Sequence, residues 1–367
     1  MMYKSFEIKN FRCFREFKIS NLERINLIVG KNNIGKTALL EALFIHSGAY
    51  NPILTLKINP LRGIEPMKLQ QTALTKTQTP WDTLFYNFNN LKAIELIGDI
   101  KTESKTINRR LTLKVVRERE ELAKIVLPID LTQNKFGQDV LRSDFAQLLQ
   151  FAYQEDGREG KIYLIIEPRE GIKLTPVPPL PPFPGVFLPA RVRTSVSNES
   201  EQFSELKAEN KHEKILSTLK LIEPRLSNLE VLTVAEVPII HGEIGLGRPL
   251  PLPLMGEGMA RIASLLLSIG TYRGGIVLID EIENGLHHLV LEKVWSAIAT
   301  AAREFDVQIF ATTHSLECIK AFNEAFSKGE IYDFKLYRLE RNDDKIDTVD
   351  YDKETLDSAM GMDMEVR

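Results

Sequence analysis

The stretch "GKNNIGKT", Gly30 to Thr37, restricts what this chain can fold into more than any other feature. It follows an apolar run, "INLIV", that reads as a buried strand. It then runs into "KTALLEALFIHSG", where Leu39, Leu40, Leu43 and Phe44 fall at helical spacing and Gly48 marks an end. A strand feeding a glycine-containing loop that opens a helix is an anion cradle, because backbone N–H groups and the positive helix terminus converge there. The full G-x-x-x-x-G-K-[ST] pattern in that context predicts a bound nucleotide. Gly30, Asn32, Asn33, Gly35 and Ala38 belong to the cradle, Lys36 supplies a point charge to the β and γ oxygens, and Thr37 offers a hydroxyl to Mg²⁺.

Far downstream lies "GGIVLIDEIENGLHH", in which Ile276 to Ile279 form an apolar run ending in Asp280 and Glu281. An apolar central strand presents its terminal carboxylates at the C-terminal edge of an open α/β sheet, where ligands bind. Asp280 is expected to hold Mg²⁺, directly or through water, and Glu281 to orient or deprotonate an attacking water. "VQIFATTHS" reads as another apolar strand. If the two strands are neighbours, His314 emerges beside Glu281, within reach of a γ-phosphate.

From Leu254 onward, strands and helices alternate, which argues for a parallel sheet flanked by helices. The opening "YKSFEIKNF" and "CFREFKIS" alternate with period two and read as a hairpin. The middle of the chain mixes strands such as "KAIELIGDI" and "RRLTLKVVRE" with a helical piece, "RSDFAQLLQFAYQ", while "ESEQFSELKAENKHEKILSTLKLIEPRL" resumes helical periodicity. "PVPPLPPFPG" is too rich in proline for a helix or central strand and is expected to be an extended connector. Residues 1–50 and 225–350 therefore read as one unit in space, 51–224 as an inserted strand and helix lobe with its proline-rich connector at 176–189, and 351–367 as a C-terminal helix or tail.

Composition narrows the class further. The 367 residues carry a net charge of −3, which gives no global reason to expect nucleic acid, so DNA binding is left to local patches. Two such clusters are Lys4, Lys9, Arg12, Arg15 and Lys18, and Arg109, Arg110, Lys114, Arg117 and Arg119, the latter diluted by Glu118, Glu120 and Glu121. Two cysteines, Cys13 and Cys318, exclude a disulfide framework or zinc site. Neither a signal peptide nor a membrane-length apolar stretch is read, so the expected location is the cytoplasm.

Taken together, "NFRCF", "GKNNIGKT", "MGEGMARI", "LIDEIENGLHH" and "ATTHS" resemble the ABC-class ATPases of the SMC, RecF and OLD (overcoming lysogenization defect) group, with stand-alone OLD-like ATPases the closest. The resemblance implies an α/β fold, an ABC-ATPase head with a mostly parallel P-loop sheet, N-terminal antiparallel strands and an inserted α/β lobe. It also implies ATP and Mg²⁺ as cofactors and ATP hydrolysis with Glu281 and His314 as catalytic residues. Two heads would sandwich two ATP molecules, each held by the phosphate loop of one head and by the signature segment of the other. Gly256, Glu257 and Gly258 stand at that signature position, although the usual Leu-Ser-Gly-Gly-Gln/Glu pattern is not followed. Glu283, Asn284 and His287 fall in the segment that would couple the two sites, and Arg12 would touch the nucleotide or stay an exposed loop arginine. Gln70, Gln71 and Gln78 are the glutamines in the region where a glutamine loop would be sought, and none is chosen.

Between Thr37 and Met255 no sustained heptads occur, which excludes a long coiled-coil arm. The residues after His314 are too few for a Toprim nuclease, and Asp350 and Asp352 read as acids on a solvated edge strand. The family thus implies an ATP-driven switch that controls DNA or a separate nuclease or toxin, plausible in phage defence, working as a head dimer or higher even oligomer without a membrane partner. Competing expectations are a non-hydrolytic ATP-dependent scaffold or sensor and, less favoured, the ATPase subunit of a transporter.

Overall fold

The computed structural model describes residues 1–64, 79–117, 121–125, 147–167, 171–190, 195–327, 331–362 and 366. Gln70, Gln71, Gln78, Glu118, Arg119 and Glu120 lie outside them.

The phosphate-loop strand β3 (Ile25–Val29) sits inside a six-stranded sheet, between two strands parallel to it, β14 (Gln308–Thr312) and β15 (Phe334–Asn342). Beyond β14 the parallel order continues with β13 (Ile276–Ile279) and β9 (Gly185–Leu188). On the other side β15 turns back through β16 (Lys345–Tyr351). All five residues of β3 are buried because both faces of the sheet are covered, which is why four of the five are apolar. Ile25, Leu27 and Val29 enter one core with α5 (Glu257–Thr271), α6 (Leu291–Glu304) and α7 (Leu316–Ser327). Ile28 enters a second core with α1 (Lys36–Ser47), the phosphate-loop helix, and with Ile58 of the short α2 (Leu54–Leu61) that follows it. Asn26 is the one polar residue of β3. It is satisfied by Glu23 N–H at 2.9 Å and by the carbonyls of Glu23 and Ile309 at 2.7 and 3.1 Å.

The second core is roofed by a seven-stranded antiparallel sheet in the order β2 (Phe14–Ser20), β1 (Met2–Phe11), β4 (Ile94–Lys101), β5 (Thr106–Val116), β6 (Gln147–Glu155), β7 (Arg158–Glu167), β8 (Gly171–Thr175). The N-terminal hairpin therefore forms one sheet with the strands of the middle region. A suture joins this roof to the parallel sheet: Tyr3 N–H donates to Gln308 Oε1 at 2.7 Å, and Gln308 Nε2 returns a hydrogen bond to Tyr3 O at 2.9 Å. A second link is fully buried. The His46 ring lies between the Tyr3 hydroxyl, 2.7 Å from Nδ1, and the Arg109 carbonyl, 3.1 Å from Nε2. Arg109 caps the His46 carbonyl at 3.3 Å and forms a bidentate pair with Glu155, at 3.0 and 2.9 Å. The C-terminal turn of α1 is thereby locked to β5 and β6.

Three expectations change. The piece "RSDFAQLLQFAYQ" does not supply a helix over its described part: residues from Gln147 form β6, central between β5 and β7. Leu149 and Phe151 face the core above α1 while Leu148 faces Val116 and Ile165 on the other side, an alternation that the spacing of these apolar residues does not separate from helix. Within the span 51–224, β9 completes the parallel sheet, and α3 (Val196–Ala208) and α4 (His212–Lys220) pack Phe203, Leu206, Ile215 and Leu219 into the first core. The helical stretch is also two helices, divided where Asn210 takes a left-handed backbone with φ 59°. A small separate sheet, β10 (Asn228–Val234), β11 (Val237–Glu243) and β12 (Leu250–Pro251), leads into the turn Leu252–Met255 that opens α5. The proline-rich connector between β8 and β9 is neither helix nor strand and is largely exposed, anchored by buried Phe183.

Candidate nucleotide site

Parallel register decides what meets at the C-terminal edge of the sheet. Ile279 pairs with Ala311, and Ala311 pairs with Leu27, so Asp280, Thr312 and the loop after Val29 emerge side by side. Thr37, at the first turn of α1, closes the group: its hydroxyl lies 3.1 and 3.0 Å from the two carboxylate oxygens of Asp280, across 243 positions of sequence. The loop between them adopts left-handed backbone at Gly30, Asn33 and Gly35, with φ 139°, 62° and 110°. Lys36 curls back over its own loop, donating to the carbonyls of Gly30 and Lys31 at 2.6 and 3.1 Å. Burial pulls the Lys36 pKa below its ordinary value, opposed by the charges of Asp280, Glu281 and Glu283 facing it. Ala38 is buried behind the cradle, while Asn32 and Asn33 are both on its exposed rim.

Thr312 holds the acidic strand end in place. Its hydroxyl donates to Asp280 Oδ1 at 2.6 Å and accepts the Glu281 N–H at 2.9 Å, and its carbonyl accepts Ile282 N–H at 3.0 Å. The chain turns sharply at Glu281, whose φ is 47°, so that Asp280 is nearly buried while the Glu281 side chain is 45% exposed. His314 follows β14 and stands where its strand predicts, with Nδ1 4.0 Å from Glu281 Oε1 and 3.2 Å from Glu283 Oε1. Sequence reading passed over Thr312, although its place at the end of an apolar strand next to "DE" was a usable signal.

The segments expected to act as signature and coupling elements lie together within this one chain. Gly256, with φ 109°, precedes the first turn of α5, and a β-carbon added at Gly285 would lie 3.4 Å from Glu257 Oε1. Gly258 approaches the Gly285 carbonyl, its would-be β-carbon 3.7 Å away. Asn284 Nδ2 donates to Ala190 O at 2.7 Å, and His287 Nδ1 accepts the Leu289 N–H at 3.3 Å, capping a short turn. A cavity of 360 Å³ opens between the two segments, bordered by Glu257, Arg261, Asn284 and Gly285.

Arg12 is placed differently from the expected nucleotide contact. Its guanidinium is engaged by Glu41 at 3.1 Å, the Thr83 carbonyl at 2.9 Å and Asn59 at 3.1 Å. Glu41 is fully buried on α1 and also takes a bidentate pair from Arg62, at 2.6 and 3.0 Å, so Arg12 has a structural charge to satisfy beneath the site. Several residues of the basic clusters likewise have partners. Arg109 is buried, Arg110 faces Glu95 at 3.7 Å, Lys114 faces Glu121 at 3.2 Å and Lys9 faces Glu7 at 3.0 Å. Asp350 pairs with Lys335 at 2.6 Å and Asp352 caps α8 (Lys353–Gly361).

The donor set of Thr37 and Asp280, one hydroxyl and one carboxylate, suits a hard cation that takes only one or two protein oxygens and completes its shell with phosphate and water. Among the described residues no cluster of three or more His, Cys, Asp or Glu could hold a metal by protein ligands alone.

A phosphate cradle, an acidic strand end and a histidine converging on one edge of a parallel sheet, under an antiparallel roof, define an SMC/RecF-like ABC-class ATPase head. The chain belongs to the family described as "AAA domain, putative AbiEii toxin, Type IV TA system", whose profile matches residues 82–319, and the profile of an "AAA ATPase domain" matches residues 1–116. It is an ATPase of this type. Over 375 aligned residues it is 22% identical to a Helicobacter pylori protein named ATP/GTP phosphatase, covering 93% of each chain. A 48-residue stretch is 50% identical to an uncharacterized protein of Methanocaldococcus jannaschii, covering 13% of this chain and 22% of that one. Among solved structures, the SMC head bound to the C-winged helix domain of ScpA shares the fold, with a TM-score of 0.51 at 12% identity, covering 98% of this chain and 100% of that one. No helix among the described residues is long and apolar enough to cross a membrane.

Proposed function

We propose that the chain binds ATP with Mg²⁺ at the Thr37–Asp280 junction, hydrolyses it with Glu281 as general base, and uses the cycle to pair and release two heads. The observation that carries this reading is the contact of Thr37 with Asp280 at 3.0 Å, which joins the phosphate cradle to the acidic strand end. Thr37 and Asp280 would hold the metal, which when bound neutralises phosphate charge. Lys36 leaves its two loop carbonyls for the β and γ oxygens, since a phosphate is the stronger partner for an ammonium. Glu281, exposed and 4.0 Å from His314, is free to accept a proton from water, and His314 faces the γ-phosphate.

Pairing of heads is supported by the surface where signature and coupling segments adjoin. There Leu254 and Leu289 are 69% and 76% exposed, apolar side chains that a partner would cover. The partner head would receive N–H groups from Gly256 to Gly258 at its γ-phosphate, and Glu283, Asn284 and His287 would sense its presence. The family description points to a toxin–antitoxin or phage-defence setting, in which the cycle gates a separate nuclease or toxin. DNA is a weaker candidate as ligand, because several of the basic residues, Lys9, Arg110 and Lys114 among them, pair with acids of the same chain.

Lys36→Ala is expected to abolish nucleotide binding, and Glu281→Gln to bind ATP without turnover and to elute as a dimer in its presence. Normal hydrolysis by Glu281→Gln removes Glu281 as the base. A wild-type protein that dimerises on ATP without hydrolysing it supports the scaffold reading instead.

A further inference from the structure

We infer that Glu283 is a positioning residue for His314 within the same head: it fixes the ring with the proton on Nδ1 and keeps it away from Glu281. The inference rests on the reading of His314 as a group that faces the nucleotide.

One carboxylate oxygen holds His314 twice. Glu283 Oε1 accepts the His314 backbone N–H at 3.1 Å and lies 3.2 Å from ring Nδ1. A carboxylate oxygen accepts from a ring N–H, so we assign the proton to the ring nitrogen that faces it at ion-pair distance, and with it the tautomer. Nε2 is then the nitrogen left open to a ligand. The competing carboxylate, Glu281 Oε1, is 4.0 Å from the same Nδ1, outside hydrogen-bond range. Two acids thus face one ring nitrogen, and the distances give the ring to Glu283.

The backbone explains how both acids reach their places. The left-handed turn at Glu281, clamped by Thr312, leaves Glu281 45% exposed and returns Glu283 beneath His314, where its side chain is 13% exposed. There the second oxygen, Glu283 Oε2, is buried without a protein donor among the described residues. A carboxylate left half satisfied is a poor stabilising choice, since a buried acceptor without a partner costs about 1–3 kcal/mol. Its retention fits a task for Oε1 toward His314. Without that acceptor, the nearest anion for the His314 ring is Glu281, and pairing there would occupy the proposed base.

Two measurements test this together. The first is the tautomer of His314, read from ¹⁵N shifts of histidine-labelled protein, with His314→Ala assigning its signal among the six histidines. The expected result is an Nδ1–H ring in wild type and in Glu283→Gln, which keeps an oxygen acceptor, and a changed ring in Glu283→Leu. The second is a mutant cycle in ATP turnover. Glu283→Leu should lower kcat at least about tenfold with KM little changed, Glu283→Gln should stay within about threefold of wild type, and Glu283→Leu should have no further effect in a His314→Ala background.

An Nε2–H ring in wild type overturns the inference, as does an equal loss from Glu283→Leu with and without His314, the pattern of a role that does not pass through His314. If Glu283→Leu does not fold, the wild-type tautomer decides alone. Should wild type turn over ATP no faster than Lys36→Ala while the ring is Nδ1–H, the hydrolysis reading falls and the positioning stands.

Discussion

Cys13 lies directly over Gly35: a β-carbon added to this glycine would sit 2.7 Å from the Cys13 sulfur and 2.9 Å from Cζ of Phe14. The turn between β1 and β2 is therefore the ceiling of the phosphate loop, and Gly35 meets both a steric and a conformational demand, with φ at 110°. Gly35→Ala is expected to destabilise the loop by about 1–2 kcal/mol from the left-handed backbone alone and to displace Cys13 as well. Isothermal titration should show ATP affinity reduced at least tenfold, on the order expected for a strained cradle. Unchanged affinity would mean that the hairpin yields without cost.

Thr312 ties Asp280 and Glu281 with one hydroxyl. Thr312→Val keeps the β-branched shape of the strand and removes both hydrogen bonds. Turnover should fall by about 10–100-fold and the Mg²⁺ requirement should rise, as is typical when a group supporting a metal ligand is lost. The check is kcat as a function of Mg²⁺ concentration. A change confined to thermal stability would mean that Thr312 only closes the sheet.

Arg109 and Glu155 form a pair whose arginine is 1% exposed, wedged between α1 and the roof sheet. Removing the guanidinium strands Glu155 and uncaps the His46 carbonyl, so Arg109→Met should destabilise the protein by about 3 kcal/mol. Chemical denaturation measures this directly. A loss under 1 kcal/mol, on the order of a surface pair, would show that the network relaxes easily.

His46 makes acid stability asymmetric. Burial, reinforced by the Arg109 charge, depresses its pKa from 6.5 to about 3. The Arg109 carbonyl can only accept, so Nε2 carries the proton, and Nδ1 accepts from Tyr3. Below 6.5 the unfolded chain binds a proton that the folded chain refuses, until the pH approaches 3. The stability that His46 contributes is whole above 6.5 and declines as pH falls, by up to about 1.4 kcal/mol per pH unit. His46→Gln should flatten the difference between melting curves at pH 7 and pH 4.5, about the middle of that window. An unaltered pH slope would assign acid sensitivity to the carboxylates instead.

Much of the head was legible because its signals are local. β3, its loop and α1 announce themselves by a buried apolar run, glycines at left-handed positions and helical spacing, and the apolar strands β13 and β14 share that property. Register then brings Asp280 opposite Thr37, which sequence order alone could propose but not measure. What escaped depends on distant partners. β6 is a strand because β5 and β7 lie on either side of it, and β9 joins the parallel sheet only by pairing with β13. Arg12 reads as either a nucleotide contact or an exposed loop arginine until the burial of Glu41 shows which charge it meets. Thr312 was masked by its more conspicuous neighbour His314, since hydroxyls at strand ends are common and only geometry gives this one two partners.

The placement of β3 has a consequence for biosynthesis. Both strands that flank it, Gln308–Thr312 and Phe334–Asn342, leave the ribosome long after it does. A nascent chain therefore carries a bare, mostly apolar ribbon and an open phosphate loop until those strands emerge. Its contact with the acidic strand end, 243 positions further along, must await the synthesis of that segment, so the cradle is completed only after a long stretch of chain has followed it.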